Sequence, residues 1–294
     1  MAYSFPEELQ GLLIDFMFDL TLYLITAWLY GLLALRDFQL QTRPLSTIET
    51  SSIETPEERL IHRLIPLAWV THILLLQYTM IQADGLDLSL GHAISIIGAV
   101  TTAIYWLGSR HEPLGILRPV ILGLTAVASM LPLLFPAQKA VAFQHNLAFE
   151  GHIIVSLTAY SLFVIAALHA WVMTIQERKL HSGEVKTGLG RLPPLVTMDA
   201  LLFRMVLSGF FLLTLAVASG VLFSEELFGR PFTFNHKNLL GVLSWAIFAG
   251  LLIGRWGYGW RGRRAARWTI AGFIVLALAY VGSKLVLEVI LHRV

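Results

Sequence analysis

The chain contains no cysteine. Disulfides, thiolate metal sites, cysteine nucleophiles and covalent cofactor attachment through a C-x-x-C-H motif are all excluded. Charge is scarce too: 14% of the residues are Asp, Glu, Lys or Arg, where soluble domains carry about 25%. The net charge is only +2, so no global field draws the chain to nucleic acid. There is no phosphate-cradling G-x-x-x-x-G-K-[ST] motif and no nucleophile–base arrangement, so the chain does not read as an enzyme. The first residues, Met-Ala-Tyr-Ser-Phe-Pro-Glu-Glu, lack a positive n-region and a small-x-small cleavage site. They read as a short tail before a first span rather than as a signal peptide.

What the chain does have is apolar length. It is 56% hydrophobic over 294 residues, with a mean hydropathy of +0.70. The bilayer is the solvent that accepts so much apolar surface. Eight stretches are long enough to span it, at about 12–35, 64–81, 90–108, 116–135, 151–175, 205–223, 239–256 and 268–291. Pro66 falls near the start of the second, where a missing N–H costs little. The reading is an all-α bundle of eight transmembrane helices forming one domain over 1–294. Gly183, Gly188, Gly190, Pro193 and Pro194 argue that 176–204 is a loop.

The loops alternate in charge. Arg36, Arg43, Arg59 and Arg63 fall in the first loop, and Arg110 and Arg118 in the third. Arg178, Lys179, Lys186, Arg191 and Arg204 fall in the fifth, with Arg255, Arg261, Arg263, Arg264 and Arg267 in the seventh. The other loops and the C-terminus carry only Lys139, Arg230, Lys237 and Arg293. The positive-inside rule places the first set in the cytoplasm and both termini outside.

The histidines sort by depth on that topology. His62, His111 and His181 lie in cytoplasmic loops, and His72 and His169 within spans. His92, His145, His152, His236 and His292 fall at or near outer ends. His152 opens the fifth span, His236 precedes the seventh and His292 closes the eighth, so one outer cavity can receive all three. Neutral imidazole suits haem iron, and Lys139, Arg230, Lys237 and Arg293 are the outer cations available to propionates. Zinc ranks lower, because no histidine pair has H-x-x-x-H spacing. His72 and His169 are each either a buried histidine satisfied by a neighbouring helix or a deeper haem ligand.

Lys284, Glu288 and His292 share one face of the last span, with Lys284 and Glu288 expected to neutralise each other. Asp15 and Asp19 form a similar pair in the first span, with Asp19 expected to meet Lys284 or an arginine. A small-solute or ion carrier built on these four charges is the competing function. A ligand-free accessory subunit is the third. The segment Gly-Tyr-Gly-Trp-Arg-Gly-Arg-Arg (257–264) reads as a cytoplasmic turn whose arginines face anionic lipid headgroups, with Trp256 and Trp260 anchoring at the interface.

Two segments carry a resemblance. Gly-Trp-Arg-Gly-Arg-Arg (259–264), followed by a span containing Ala-Tyr-Val-Gly-Ser-Lys (279–284), resembles the cytochrome c assembly family of membrane proteins. Gly-His-Ile-Ile-Val-Ser-Leu-Thr-Ala-Tyr (151–160) resembles a helix start of the same family. The likeness covers about residues 60–294 and looks closest to the YpjD-like inner-membrane branch. It implies a multi-pass protein of a bacterial inner membrane, with haem and other cytochrome biogenesis proteins as partners. Haem-handling members hold haem between two histidines that flank an outer tryptophan-rich loop. Here His152 matches the first by motif and His292 the second by position. The corresponding loop, 224–238, has no tryptophan; Phe228, Phe232 and Phe234 offer a smaller apolar platform. Ile253 stands about where the family has a deep histidine. The resulting expectation is a haem-binding or haem-handling protein. His152 and His292 are its axial ligands to haem iron, His236 and His72 are further haem-site candidates, and Arg230 or Lys237 meets the propionates.

Overall fold

The computed structural model describes residues 7–42, 55–82, 85–110, 115–135, 147–181, 193–222 and 236–286. Side chains are described in the first helix from Met17 onward, and those of 82–86 and of His181 are not. The helices are α1 (Glu7–Gln41), α2 (Pro56–Met80), α3 (Leu90–Gly108), α4 (Arg118–Leu134), α5 (Leu147–His181), α6 (Leu195–Leu222), α7 (His236–Tyr258) and α8 (Gly262–Ala277). A π-helical stretch, Leu278–Gly282, continues α8. Between α2 and α3 the chain makes a minimal antiparallel hairpin, Ile81 opposite Leu86 and Gln82 opposite Gly85. Among the described residues, eight helices are long and apolar enough to cross a membrane, as the hydropathy predicts.

The helices outrun the hydropathic segments. The second begins at Pro56 rather than 64, and the sixth at Leu195 rather than 205. Hydropathy reports the lipid-facing part of a helix, whereas caps decide where it starts. Thr55 caps α2 through the Glu58 backbone N–H while Glu58 reaches back to the Thr55 N–H, a full capping box. α5 has 35 residues. At 1.5 Å per residue that is about 52 Å, well beyond the ~30 Å hydrocarbon layer.

Pro66 therefore lies inside α2, not near its start. Its ring removes the N–H that would bond the His62 carbonyl one turn earlier. The Trp106 indole of α3 donates to that carbonyl instead, at 3.1 Å. A second indole, Trp69, donates to Ala99 O at 3.0 Å, so α2 and α3 are pinned twice.

The helices pack as two sets. α1 lies against α4 and α2, and α3 against α2 and α4; α5 lies against α6 and α8, and α7 against α8 and α6. The seam between the sets is α3 on α5, where Ser161 Oγ donates to Ile97 O at 3.2 Å. Close approach needs small residues. A Cβ at Gly91 would fall 2.6 Å from Leu131 O and from Pro132 Cα, so α3 meets α4 backbone to backbone there. In the second set Phe163 and Phe248 stack with centroids 3.9 Å apart, in space left by Gly209 and Gly272.

One end of the bundle carries the hairpin and the ends of α2, α5, α6 and α7 nearest to it; we call it the hairpin end. The other carries the arginines. There Arg118 pairs with the fully buried Asp37 of α1, and Gln41 links Asp37 to Gly115 O. Asp199 accepts from Arg255 at 2.8 Å and from the Gly262 backbone N–H at 2.9 Å. Those bonds close the turn between α7 and α8, in which Gly259 and Gly262 take φ of 65° and 57°. Trp260 packs on Trp268 and lies under Arg264.

Candidate functional site

His152 stands in the second turn of α5, at the hairpin end. Its Nδ1 is 2.8 Å from Ser219 Oγ in the last turn of α6. The Ser219 hydroxyl also lies 3.1 Å from Ala216 O. Ser219 Oγ thus lies within hydrogen-bond reach of both the His152 ring and the Ala216 carbonyl, and it ties the imidazole to α6.

Two lysines join this corner. Lys237, in the first turn of α7, places Nζ 5.4 Å from the centroid of the Tyr280 ring. Lys284 places Nζ 5.6 Å from the same ring and donates to Leu88 O, just ahead of α3. Both distances fall within cation–π range. Tyr280 sits in the π-helical stretch, a local winding that recurs at functional sites. Tyr160, on α5 below His152, lies 5.9 Å from Tyr280 between ring centroids and donates to Leu276 O at 2.8 Å. The corner thus combines an oriented imidazole, two ammonium groups and two aromatic rings.

The other sequence candidates are distributed unevenly. His236 opens α7 and is exposed, one residue from Lys237. His72 is fully buried, with Nε2 2.8 Å from Ser95 Oγ of α3 and its ring edge-on to Tyr30 of α1 at 5.6 Å. His169 donates Nε2–H to Met198 O of α6 at 2.9 Å. These two deep histidines belong to different helix interfaces, and each has a neighbour that satisfies one ring nitrogen. His292, Arg230, Glu288, Lys139, Arg293, His145 and Phe228, Phe232 and Phe234 lie outside the described residues, as does the Asp15 side chain.

Sequence reasoning missed Ser219, Tyr280 and the Leu88 carbonyl. It also missed the hydrogen-bonded corner ahead of α3. There His92 Nδ1 lies 3.1 Å from Asp87 and 3.2 Å from Ser89 Oγ, and His92 Nε2 lies 3.1 Å from Thr79 Oγ1. Burial pushes the Asp87 carboxyl up, but bonds from His92 and the Ser89 N–H outweigh it and hold the group below the ordinary carboxylate range. A short-range signal was available: Asp-x-Ser-x-x-His is an N-cap sequence with a polar partner one turn in.

The fold and this corner define a multi-pass helical membrane protein with a polar, aromatic site at one end of the bundle. The profile of the family described as Cytochrome C assembly protein matches residues 61–291, so the chain belongs to that family. Membership supports a role in cytochrome c biogenesis. Among relatives, the inner membrane protein YpjD of Escherichia coli (strain K12) is 26% identical over 226 residues, covering 76% of this chain and 85% of the relative. Cytochrome c biogenesis protein CcsA of Parasynechococcus marenigrum is 29% identical over 114 residues, 39% of this chain and 33% of the relative. CcsA of Prochlorococcus marinus (strain MIT 9303) is 34% identical over 88 residues, 30% of this chain and 28% of the relative.

Proposed function

We propose that the protein binds haem non-covalently at the hairpin end, which faces away from the cytoplasm, and serves cytochrome c biogenesis as a haem-handling rather than a catalytic protein. The observation that carries this reading is the Ser219–His152 bond. It orients a helix-borne imidazole at the end of the bundle that also carries Lys237 and Lys284 around Tyr280. Ring orientation by an outer hydrogen bond is the usual support of a histidine that ligates metal.

The donor set fits the group. His152 supplies an axial nitrogen. Lys237 and Lys284 supply positive charge for two propionates. Tyr160 and Tyr280 supply flat apolar faces. His292, which matches the family's second histidine by position, would be a second ligand to the iron, and Arg230 would be a further propionate partner. Bound haem would supply its iron for ligation; the chain's own task is to hold, orient and release it. Other biogenesis proteins are the partners that would receive it.

Haemin titration of the purified protein tests the proposal. The expected result is a Soret band that shifts or weakens in His152→Ala and in His292→Ala. No haemin uptake by the wild-type protein in detergent or nanodiscs overturns it. Solute flux that depends on Asp19 would then favour the carrier reading.

A further inference from the structure

The candidate haem site reaches across the seam between the two helix sets. Lys284, just past the π-helical stretch in the second set, donates to the Leu88 carbonyl of the segment ahead of α3, in the first. The same ammonium lies 5.6 Å from the Tyr280 ring centroid. Lysine carries three N–H donors on a flexible four-carbon stem. The carbonyl that takes one of them therefore decides where the ammonium stands and which way its other donors point.

Leu88 is bracketed by hydrogen bonds on both sides. Just before it, the Asp87 N–H donates to Met80 O at the end of α2, at 2.9 Å. Just after it, the Ser89 N–H donates to Asp87 Oδ1 at 2.8 Å, and the Ser89 hydroxyl accepts from the His92 N–H in the first turn of α3 at 3.4 Å. Asp87 Oδ2 lies 3.1 Å from His92 Nδ1, and His92 Nε2 lies 3.1 Å from Thr79 Oγ1 in the last turn of α2. The imidazole thus bridges the carboxylate to α2. Asp87 and His92 are only 2% and 3% exposed. Burying such a pair carries a desolvation penalty that apolar residues of similar volume avoid. Capping α3 requires Ser89 alone. The carboxylate and the imidazole exceed that task, and the carbonyl they bracket is the one that receives Lys284.

We propose that Asp87 and His92 are positioning residues for the haem site: by fixing the Leu88 carbonyl they hold the Lys284 ammonium where it meets a ligand carboxylate beside Tyr280. This role presupposes the haem reading of the corner. Neither residue touches the ligand; both act through the carbonyl and the lysine. Loss of either lets the lysine stem sample other rotamers. A porphyrin with free carboxylates then loses affinity that one without them never had, while the contact between iron and His152 is unaffected.

The test titrates the full-length protein in nanodiscs with haemin and with haemin dimethyl ester, which lacks the propionate charge. In His92→Ala the haemin affinity is expected to fall about tenfold, the loss of one charge-assisted hydrogen bond, while the ester affinity stays near that of the wild type. Asp87→Asn is nearly isosteric and keeps an acceptor for the Ser89 N–H. It is expected to show the same pattern and serves if His92→Ala does not fold. Lys284→Ala is expected to lose about as much as His92→Ala, and combining the two should cost little more, because both remove one contact. Folded His92→Ala or Asp87→Asn that discriminates between the porphyrins like the wild type overturns the positioning role, while haemin uptake that depends on His152 leaves the haem reading standing. An equal loss for both porphyrins marks a purely structural role and overturns it too. No haemin uptake by the wild type overturns the haem reading itself, and this role with it.

Discussion

Ser219 holds the His152 imidazole at 2.8 Å from the neighbouring helix and so sets the direction in which the ring faces. Ser219→Ala removes that control and frees the ring to change tautomer and rotamer. Loss of such an outer partner typically weakens metal binding about 10–100-fold. Haemin affinity of Ser219→Ala is expected to fall toward that range while its melting temperature stays near that of the wild type. An unchanged affinity would show that the hydrogen bond is irrelevant to the ligand.

Lys237 and Lys284 address the same ring and, in the proposed complex, the same carboxylates. The wild-type protein is expected to prefer haemin over its dimethyl ester, which lacks propionate charge. Each charge-assisted bond is worth about 1.5–3 kcal/mol, so Lys237→Ala with Lys284→Ala should lose at least about tenfold in haemin affinity and most of the discrimination against the ester. Competitive titration of the two porphyrins measures both numbers.

The Asp87 carboxyl sits below the ordinary carboxylate range in the folded protein because His92 and Ser89 bond its charged form. Its contribution to stability is complete above the unfolded value, about 4. It fades as the pH falls further, through the lower folded value. Thermal melts of the wild-type protein and Asp87→Asn in detergent are expected to differ at pH 7 and to converge as the pH drops through about 4 toward 2. A gap that widens with acidity would contradict the assignment.

Asp199 ties Arg255 to the Gly262 N–H across the turn between α7 and α8. Asp199→Ala leaves both donors without that acceptor and should destabilise the fold by about 2–3 kcal/mol. Asp199→Asn retains an acceptor for Gly262 and should lose less. Unfolding in sodium dodecyl sulfate titrations ranks the two variants.

Backbone contact between α3 and α4 at Gly91 leaves no room for a methyl group. Gly91→Ala is expected to force the two helices apart and lower the melting temperature, while Gly31→Ala, where a Cβ meets nothing within 4 Å, should be neutral.

The eight spans were legible because lipid demands long apolar runs, and a run of about twenty such residues is rarely tolerated in a soluble fold. Helix ends were less so: hydropathy is silent once a helix leaves the bilayer, although the Thr55–Glu58 capping box was readable in the sequence. His152 was found through a local motif, and Lys237 through its position beside a span. Lys284 was read along its own helix toward Glu288, because spacing reveals only neighbours on one helix face. Its contact with Leu88 spans 196 residues of sequence, and no local pattern announces that. Ser219 and Tyr280 carry no charge and fit any membrane helix, so only tertiary packing reveals their partners. The His72–Ser95 contact between α2 and α3 was invisible for the same reason, each residue being unremarkable alone.

The π-helical winding at Leu278–Gly282 accommodates one residue more than regular α-helix would. Each residue of an α-helix advances the azimuth by about 100°. Residues 281–286 are thereby turned by roughly that angle, which matches the Lys284 ammonium reaching the beginning of α3. Deleting a single residue such as Val281 would unwind the offset and swing the ammonium toward a different neighbour, an effect that no side-chain substitution at position 284 could imitate.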